Sequence, residues 1–233
     1  MNEIIKKAVE RGQKALSEYD SKLVIAAAGV PVSRNFLAIS ADDAVKHAGE
    51  LGYPVVLKGC SDTLTHKTEM GMVKLKLKNE DEVRAAYKEI AGKGAKLDGV
   101  LVQEWIEGDK REFVIGLTRD PQFGPCVMFG LGGIFTEALK DVSFRVAPLT
   151  EIDAEEMIEE IRTRKLLDEF RGSPAVDRGE LAKALIGIGR LGLEYGDIAE
   201  IDINPLIIHG AKPVAVDALV VLGKSAGRKE KSA

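Results

Sequence analysis

The sequence predicts an α/β (α+β) chain built as two lobes, and three observations carry that prediction. Residues 53–75, YPVVLKGCSDTLTHKTEMGMVKL, read as a strand ending at Lys58, a polar loop carrying His66, and the start of a second strand that runs from Met72 to Leu77. Helical segments with capping signals flank this unit on both sides. From Gly99 onward the pattern changes to strands joined by tight turns, which is the mark of antiparallel hairpins.

The elements follow in order. Residues 1–21 fit an amphipathic helix through Ile4, Ile5, Ala8, Val9, Gly12 and Leu16. Residues 22–98 read strand–helix–strand–loop–strand–helix, the smaller lobe. In it Ser40 with Asp43 caps ADDAVKHAGEL, Gly52 ends that helix, and Asn79 caps DEVRAAYKEIAGK. Residues 99–222 form the larger lobe. It opens with the strand VLVQEWI and continues with a hairpin of Glu112–Thr118 and Pro125–Gly130 around Asp120, Pro121 and Gly124. Helices are expected over 153–170 and 177–193, then a closing hairpin of 198–208 and 213–222. Residues 223–233 are polar and basic without apolar periodicity, a flexible tail.

Composition narrows the function classes. The chain has 233 residues, 45% of them apolar, and a net charge of -4. Nothing in that balance points to nucleic acid. Two cysteines, Cys60 and Cys126, make no disulfide framework and no Cys-x-x-Cys metal pair. No apolar run is long enough to span a membrane, and the first residues lack a signal peptide's apolar core, so the expected setting is cytoplasmic.

Several residues carry candidate chemistry. Lys58, on a strand beside a polar loop, suits phosphate, and a neutral imidazole at His66 is a nucleophile that can accept a phosphoryl group. The same segment also reads as an ordinary surface hairpin. In AEIDINPLIIHGAKPVAVDALVV a two-residue turn at Gly210 and Ala211 sets Asn204 opposite Asp217. Asp202, Asn204 and Asp217 then share one face, with Ile201, Ile203 and Val216 on the core side. Two carboxylates and an amide suit Mg²⁺ that keeps some waters and binds phosphate; a solvated outer face is the plainer alternative. Gln103, Glu104, Trp105 and Ile106 lie between the lobes, where ligands favour clefts, and Glu112 faces the same cleft. GLGGIFTE, residues 130–137, resembles a phosphate cradle, and Arg145 is a candidate phosphate clamp.

In this order the lysine-ended strand with its loop, the QEWIEG segment, the glycine turn and the terminal D-x-N-P…D resemble the ATP-grasp superfamily over nearly the whole chain. LGYPVVLKGCSDTLTHKTEMGMVKL, LVQEWIEGDKREFVIGLTRDPQFGP and AEIDINPLII resemble the β subunit of ADP-forming acetyl-CoA synthetases, with HKTE-x-G the most specific segment. The resemblance implies an ATP-grasp fold and phosphoryl transfer through a phosphohistidine to ADP, forming ATP, with Mg²⁺ as cofactor. It implies His66 as the carrier and Asp202 as its acidic neighbour, in place of the wider superfamily's Glu. Lys58, Glu104, Trp105 and Ile106 fall on the nucleotide side, and Asn204 and Asp217 on the metal. CoA chemistry would lie on a separate α subunit, in an α2β2 assembly. Two other readings stay open: a carboxylate–amine ligase working through an acyl-phosphate, and a nucleotide-binding regulatory subunit without chemistry.

Overall fold

The computed structural model describes residues 1–64, 67, 69–108, 111–133, 139–169 and 172–223. Its helices are α1 (Asn2–Glu10), α2 (Glu18–Ala27), α3 (Ala41–Leu51), α4 (Glu80–Ala91), α5 (Glu151–Glu160) and α6 (Arg178–Glu194). Its strands are β1 (Asn35–Ala38), β2 (Val55–Cys60), β3 (Val73–Leu77), β4 (Gly99–Glu104), β5 (Glu112–Asp120), β6 (Gly124–Leu131), β7 (Val142–Val146), β8 (Ile198–His209), β9 (Lys212–Ala215) and β10 (Leu219–Leu222). They make two antiparallel sheets. The smaller has the order β1-β4-β2-β3, and the larger β10-β8-β5-β6-β7 with β9 beside β8.

Local chemistry sets the helix ends. The Ser40 hydroxyl accepts the Asp43 N–H at 3.1 Å, and the Asp43 carboxylate accepts the Ile39 N–H at 3.1 Å. Asn79 and Asp177 cap α4 and α6 in the same way, accepting N–H groups of Glu82 and Glu180 at 2.9 and 3.0 Å. The N-terminal segment departs from the expected single helix. Gly12, at φ +68°, closes α1, and Ser17 starts a new helix by accepting the Asp20 N–H at 3.2 Å. Residues 22–27, expected within the smaller lobe, are therefore helical, and the extended segment expected over Val30–Ala38 is a regular strand over Asn35–Ala38. The first expected helix of the larger lobe, 153–170, is also cut short. Asp141 accepts the N–H groups of Arg162 and Thr163 at 2.7 and 2.8 Å, which draws the main chain out of α5 into an extended Ile161 and a 3₁₀ turn at Arg164–Leu167.

Each sheet has one face covered by helices. Val55, Leu57, Val100 and Val102 of the smaller sheet pack on Ala44, Ala48, Val83 and Ile90 of α3 and α4. Phe113, Ile115, Val127, Phe129, Ile201 and Ile203 of the larger sheet pack on Met157, Leu185 and Ile188 of α5 and α6. Phe113 and Phe129 stack there with ring centroids 5.6 Å apart, and each fully buried ring contributes about 1.5–3 kcal/mol.

Two lobe assignments need correction. The strand from Gly99, expected to open the larger lobe, is the second strand of the smaller sheet, between β1 and β2. Ile5, Leu16, Val24 and Ile25 belong to the larger core instead of forming a separate layer or joining the smaller lobe. The segment before α2 extends the larger sheet: the Leu16 N–H donates to the Val220 carbonyl at 2.9 Å and the Leu222 N–H to the Lys14 carbonyl at 2.7 Å.

Candidate active site at the seam between the sheets

The helix-free face of the smaller sheet carries Lys58 and Gln103, and both turn towards α2. Lys58 Nζ donates to Glu18 Oε1 at 2.7 Å and to the Val216 carbonyl at 2.8 Å, and lies 3.8 Å from Asp217 Oδ2. Lys22 Nζ lies 3.1 Å from the same Glu18 Oε1 and donates to Gln103 Oε1 and to Ser33 Oγ. Lys67 Nζ donates to Glu18 Oε2 and stands 3.5 Å from Asp217 Oδ1. Glu18 is thus a buried carboxylate, with 3% of its side chain exposed, surrounded by three lysines.

The electrostatics follow from that packing. Burial works against the Glu18 charge, but Lys58, Lys22 and Lys67 outweigh it and hold the carboxyl far below its usual range. Burial together with the Lys58 charge pulls Lys22 down to about 8, against the opposing pull of Glu18. For Lys67 burial lowers the pKa, and Glu18 and Asp217 more than offset it, so its charge is reinforced.

Beside this cluster runs the last hairpin. Its register is the expected one: Leu206 faces Ala215, His209 faces Lys212, and Leu219 faces Asp202 on the far side of a break in the ladder. Both strands turn over at that break. Ile201 and Ile203 are buried before it and Leu206 and Ile208 after it, while Ala215 is buried on one side and Ala218 and Val220 on the other. Val216, expected in the core, is only half-buried at the turnover and gives its carbonyl to Lys58. Asp202, Asn204 and Asp217 are all partly exposed. Burial, with Glu200 and Asp217 nearby, pushes the Asp202 carboxyl up to about 6. Asn204 Oδ1 accepts the Gly133 N–H at 3.2 Å. Gly133, at φ +69°, sits so close to Glu112 that a Cβ there would come within 2.3 Å of its Oε2. Glu112, the glycine turn and Asn204 therefore meet at one point.

Other expected site residues lie elsewhere. Glu104 accepts the Arg34 main-chain N–H and the Arg34 Nε, both at 2.7 Å, so its carboxylate is engaged at the end of β4. Trp105 Nε1 donates to Glu107 at 2.9 Å, and the Lys76 ammonium stands 4.7 Å over the indole; Ile106, next along, is half-buried. Arg145 is not brought to the seam. It faces Val127 across the ladder, on the helix-covered side of the larger sheet, and donates to Glu156 at 3.2 Å and to Glu160. Asp202 faces Gly116 on the opposite side. The placement of Arg145 removes it as a phosphate clamp. His66 lies outside the described residues, as do residues 134–137 of the glycine segment.

Glu18, Lys22 and Lys67 were not singled out from the sequence. Glu18 and Lys22 stand one helical turn apart in a segment that otherwise buries Val24 and Ile25, and that spacing was the available signal.

The oxygen donors of Asp202, Asn204 and Asp217 fit a hard divalent cation. The amide oxygen of Asn204 keeps a second lone pair beyond the bond from Gly133. Among the described residues no three His, Cys, Asp or Glu side chains form a cage. Such an ion would complete its shell with water and phosphate, as Mg²⁺ does. Among the described residues no helix is long and apolar enough to cross a membrane.

Comparison with known proteins adds four findings. The family model for the ATP-grasp domain matches residues 7–222. The chain is 44% identical to the acetate–CoA ligase [ADP-forming] I subunit beta of Pyrococcus furiosus, over 94% of this chain and 97% of that one. Its structure is similar to that of the dinucleotide-forming acetyl-coenzyme A synthetase 1 of Ca. Korarchaeum cryptofilum in complex with coenzyme A and Ca-AMPCP, with a TM-score of 0.90, 47% identity, and coverage of 95% of this chain and 99% of that one. A second structure of the same synthetase, at TM-score 0.85, 47% identity and the same coverage, holds coenzyme A and Mg-AMPPCP and has its phosphohistidine segment pointing towards the nucleotide binding site.

Proposed function

Because this chain belongs to the ATP-grasp β subunits of the ADP-forming acetate–CoA ligases, we propose that it takes a phosphoryl group onto His66 and passes it to ADP, forming ATP. A CoA-binding α-type subunit carries the acyl-CoA chemistry, in an α2β2 assembly in the cytoplasm. In the transfer a terminal ADP oxygen attacks phosphorus, the P–N bond breaks, and its electron pair returns to the imidazole.

The observation that carries this reading is the seam itself, where Lys58 and Asp217 stand 3.8 Å apart beside Asp202 and Asn204. A cation for phosphate oxygens and oxygen donors for a metal are what phosphoryl transfer needs, since positioning and charge neutralisation do most of the work. Lys67, the residue after His66, reaches the same seam. Asn204 and Asp217 would hold Mg²⁺, which when bound neutralises phosphate charge. Lys58 engages phosphate oxygens, and Asp202 orients the imidazole and sets its tautomer. Glu104, Trp105 and Ile106 line the base side and Glu112 the metal side.

The test is incubation of this chain and its α-type partner with acetyl-CoA and labelled phosphate, without ADP. Acid-labile, base-stable label on this subunit, absent in His66→Ala and discharged by Mg²⁺-ADP, is the expected result. Label on the partner alone, with His66→Ala making ATP at the wild-type rate, overturns the carrier role.

A further inference from the structure

We propose that Lys67 is a positioning residue: it is the resident counter-ion of Asp217, and it yields when a divalent cation takes that carboxylate, so that filling the metal site loosens the chain beside His66. This rests on the reading of Asp217 as a metal ligand.

Both oxygens of Asp217 already face lysines. Oδ1 lies 3.5 Å from Lys67 Nζ, and Oδ2 lies 3.8 Å from Lys58 Nζ. Oδ1 also accepts the Ala218 N–H at 2.9 Å. A divalent cation binds a carboxylate oxygen at about 2.1 Å. An ammonium within 4 Å of that oxygen is then set against a doubly charged neighbour, in a site where solvent screens poorly. One lysine has to give way.

The two lysines are not equally fixed. Lys58 belongs to β2, is only 8% exposed, and holds two further acceptors at 2.7 and 2.8 Å. Lys67 is 17% exposed and lies between β2 and β3 instead of within a strand. Apart from Asp217, its ammonium has Glu18 as its partner, and Glu18 also holds Lys22 and Lys58. Lys67 is therefore the one that yields. Coupling between two ligands of one group is reciprocal: the factor by which Lys67 weakens metal binding is the factor by which the metal weakens Lys67. A coupling of roughly tenfold is the ordinary size for such a link. The consequence is mechanical as well as electrostatic. Lys67 tethers its segment to α2 and to the last hairpin at once, and its main-chain carbonyl accepts the Met72 N–H at 2.8 Å. Release of one tether is felt along the chain that Lys67 anchors between β2 and β3.

The experiment uses the full chain as wild type, Lys67→Met, Lys67→Arg and Asp217→Asn, titrated with MgCl₂ alone and with MgCl₂ plus ADP. Binding is read by calorimetry, and amide hydrogen exchange is followed in peptides spanning residues 61–72. Lys67→Met keeps Lys22 and Lys58 on Glu18, so it is expected to fold. The expected result is roughly tenfold tighter metal binding in Lys67→Met. Mg²⁺ should speed exchange in 61–72 of the wild type, leave it unchanged in Lys67→Met, and speed it again in Lys67→Arg. Mg²⁺ binding with no exchange response in the wild type, or the same response in Lys67→Met, overturns the proposal. Equal metal binding by wild type and Asp217→Asn overturns the underlying assignment of Asp217 instead.

Discussion

Replacing Glu18 with Gln keeps the shape of the side chain and removes its charge, leaving three lysines against Asp217 alone. Lys22 suffers most, because it is 1% exposed and its remaining polar partners are the neutral Gln103 and Ser33. Breaking a buried pair from one side costs about 3–5 kcal/mol, and that is the expected loss at pH 7. The pH dependence follows from Lys22, whose pKa is pulled to about 8 from an ordinary 10.5. A lysine whose folded pKa is depressed binds fewer protons in the folded state than in the unfolded one between those two values. Its contribution to stability therefore rises with pH across that window, by about 3 kcal/mol at 1.4 kcal/mol per unit. Without Glu18 the Lys22 pKa falls further, so the rise begins at lower pH and the deficit of the variant narrows towards pH 9. Urea unfolding at pH 7 and 9, with Lys22→Met and the double variant closing a cycle, reads both effects. The double variant should recover part of the loss. A Glu18→Gln protein within 0.5 kcal/mol of wild type at pH 7, or a deficit unchanged by pH and by Lys22→Met, refutes the account of Glu18 as the anchor of the seam.

Two further substitutions probe the larger lobe. Asp141 is 5% exposed, and although burial opposes its charge, hydrogen bonds from Thr163 and Arg162 hold its carboxyl below the usual range. Asp141→Asn should cost about 1–3 kcal/mol at neutral pH. Since a depressed carboxyl stabilises above its unfolded pKa and loses that effect as pH falls through its folded value, the gap between variant and wild type should close in acid urea titrations. Arg145→Met removes the ion pairs to Glu156 and Glu160 on the helix-covered side of the sheet, and should change stability by less than about 1 kcal/mol. Its affinity for ADP, measured calorimetrically, should match wild type; a clear loss would return Arg145 to the site.

What the sequence could reveal was local. The caps at Ser40 and Asn79 act over three residues, and the two-residue turn at Gly210 and Ala211 fixes the register of everything that pairs beyond it. The burial of Glu18 was hidden because its partners Lys58 and Lys67 lie 40 and 49 residues away. β7 is misleading on its face. In VSFRV the apolar Phe144 and Val146 invite burial, yet they are 51% and 46% exposed on the helix-free side. Ser143 faces the core, donating to the Met157 carbonyl at 2.9 Å, and takes Arg145 to the same side. Period-2 alternation tells which residues share a face, and only the covering helices tell which face is inside.

The chain's route through the fold gives the seam a different meaning. Residues 1–32 and 111–223 build one body, and residues 35–104 are a module inserted into it through two connections. The host supplies Glu18, Lys22 and Asp217 to the boundary, one net negative charge, and the guest supplies Lys58 and Lys67, two positive ones. Together they leave one net positive charge, and each half leaves buried charge without its partners when the other is missing. A chimera that grafts a relative's module into this host would inherit that arithmetic, and would dock only if the graft brought cations to both places. The boundary would then work as a compatibility code, in which a charge change on one side calls for an answering change on the other.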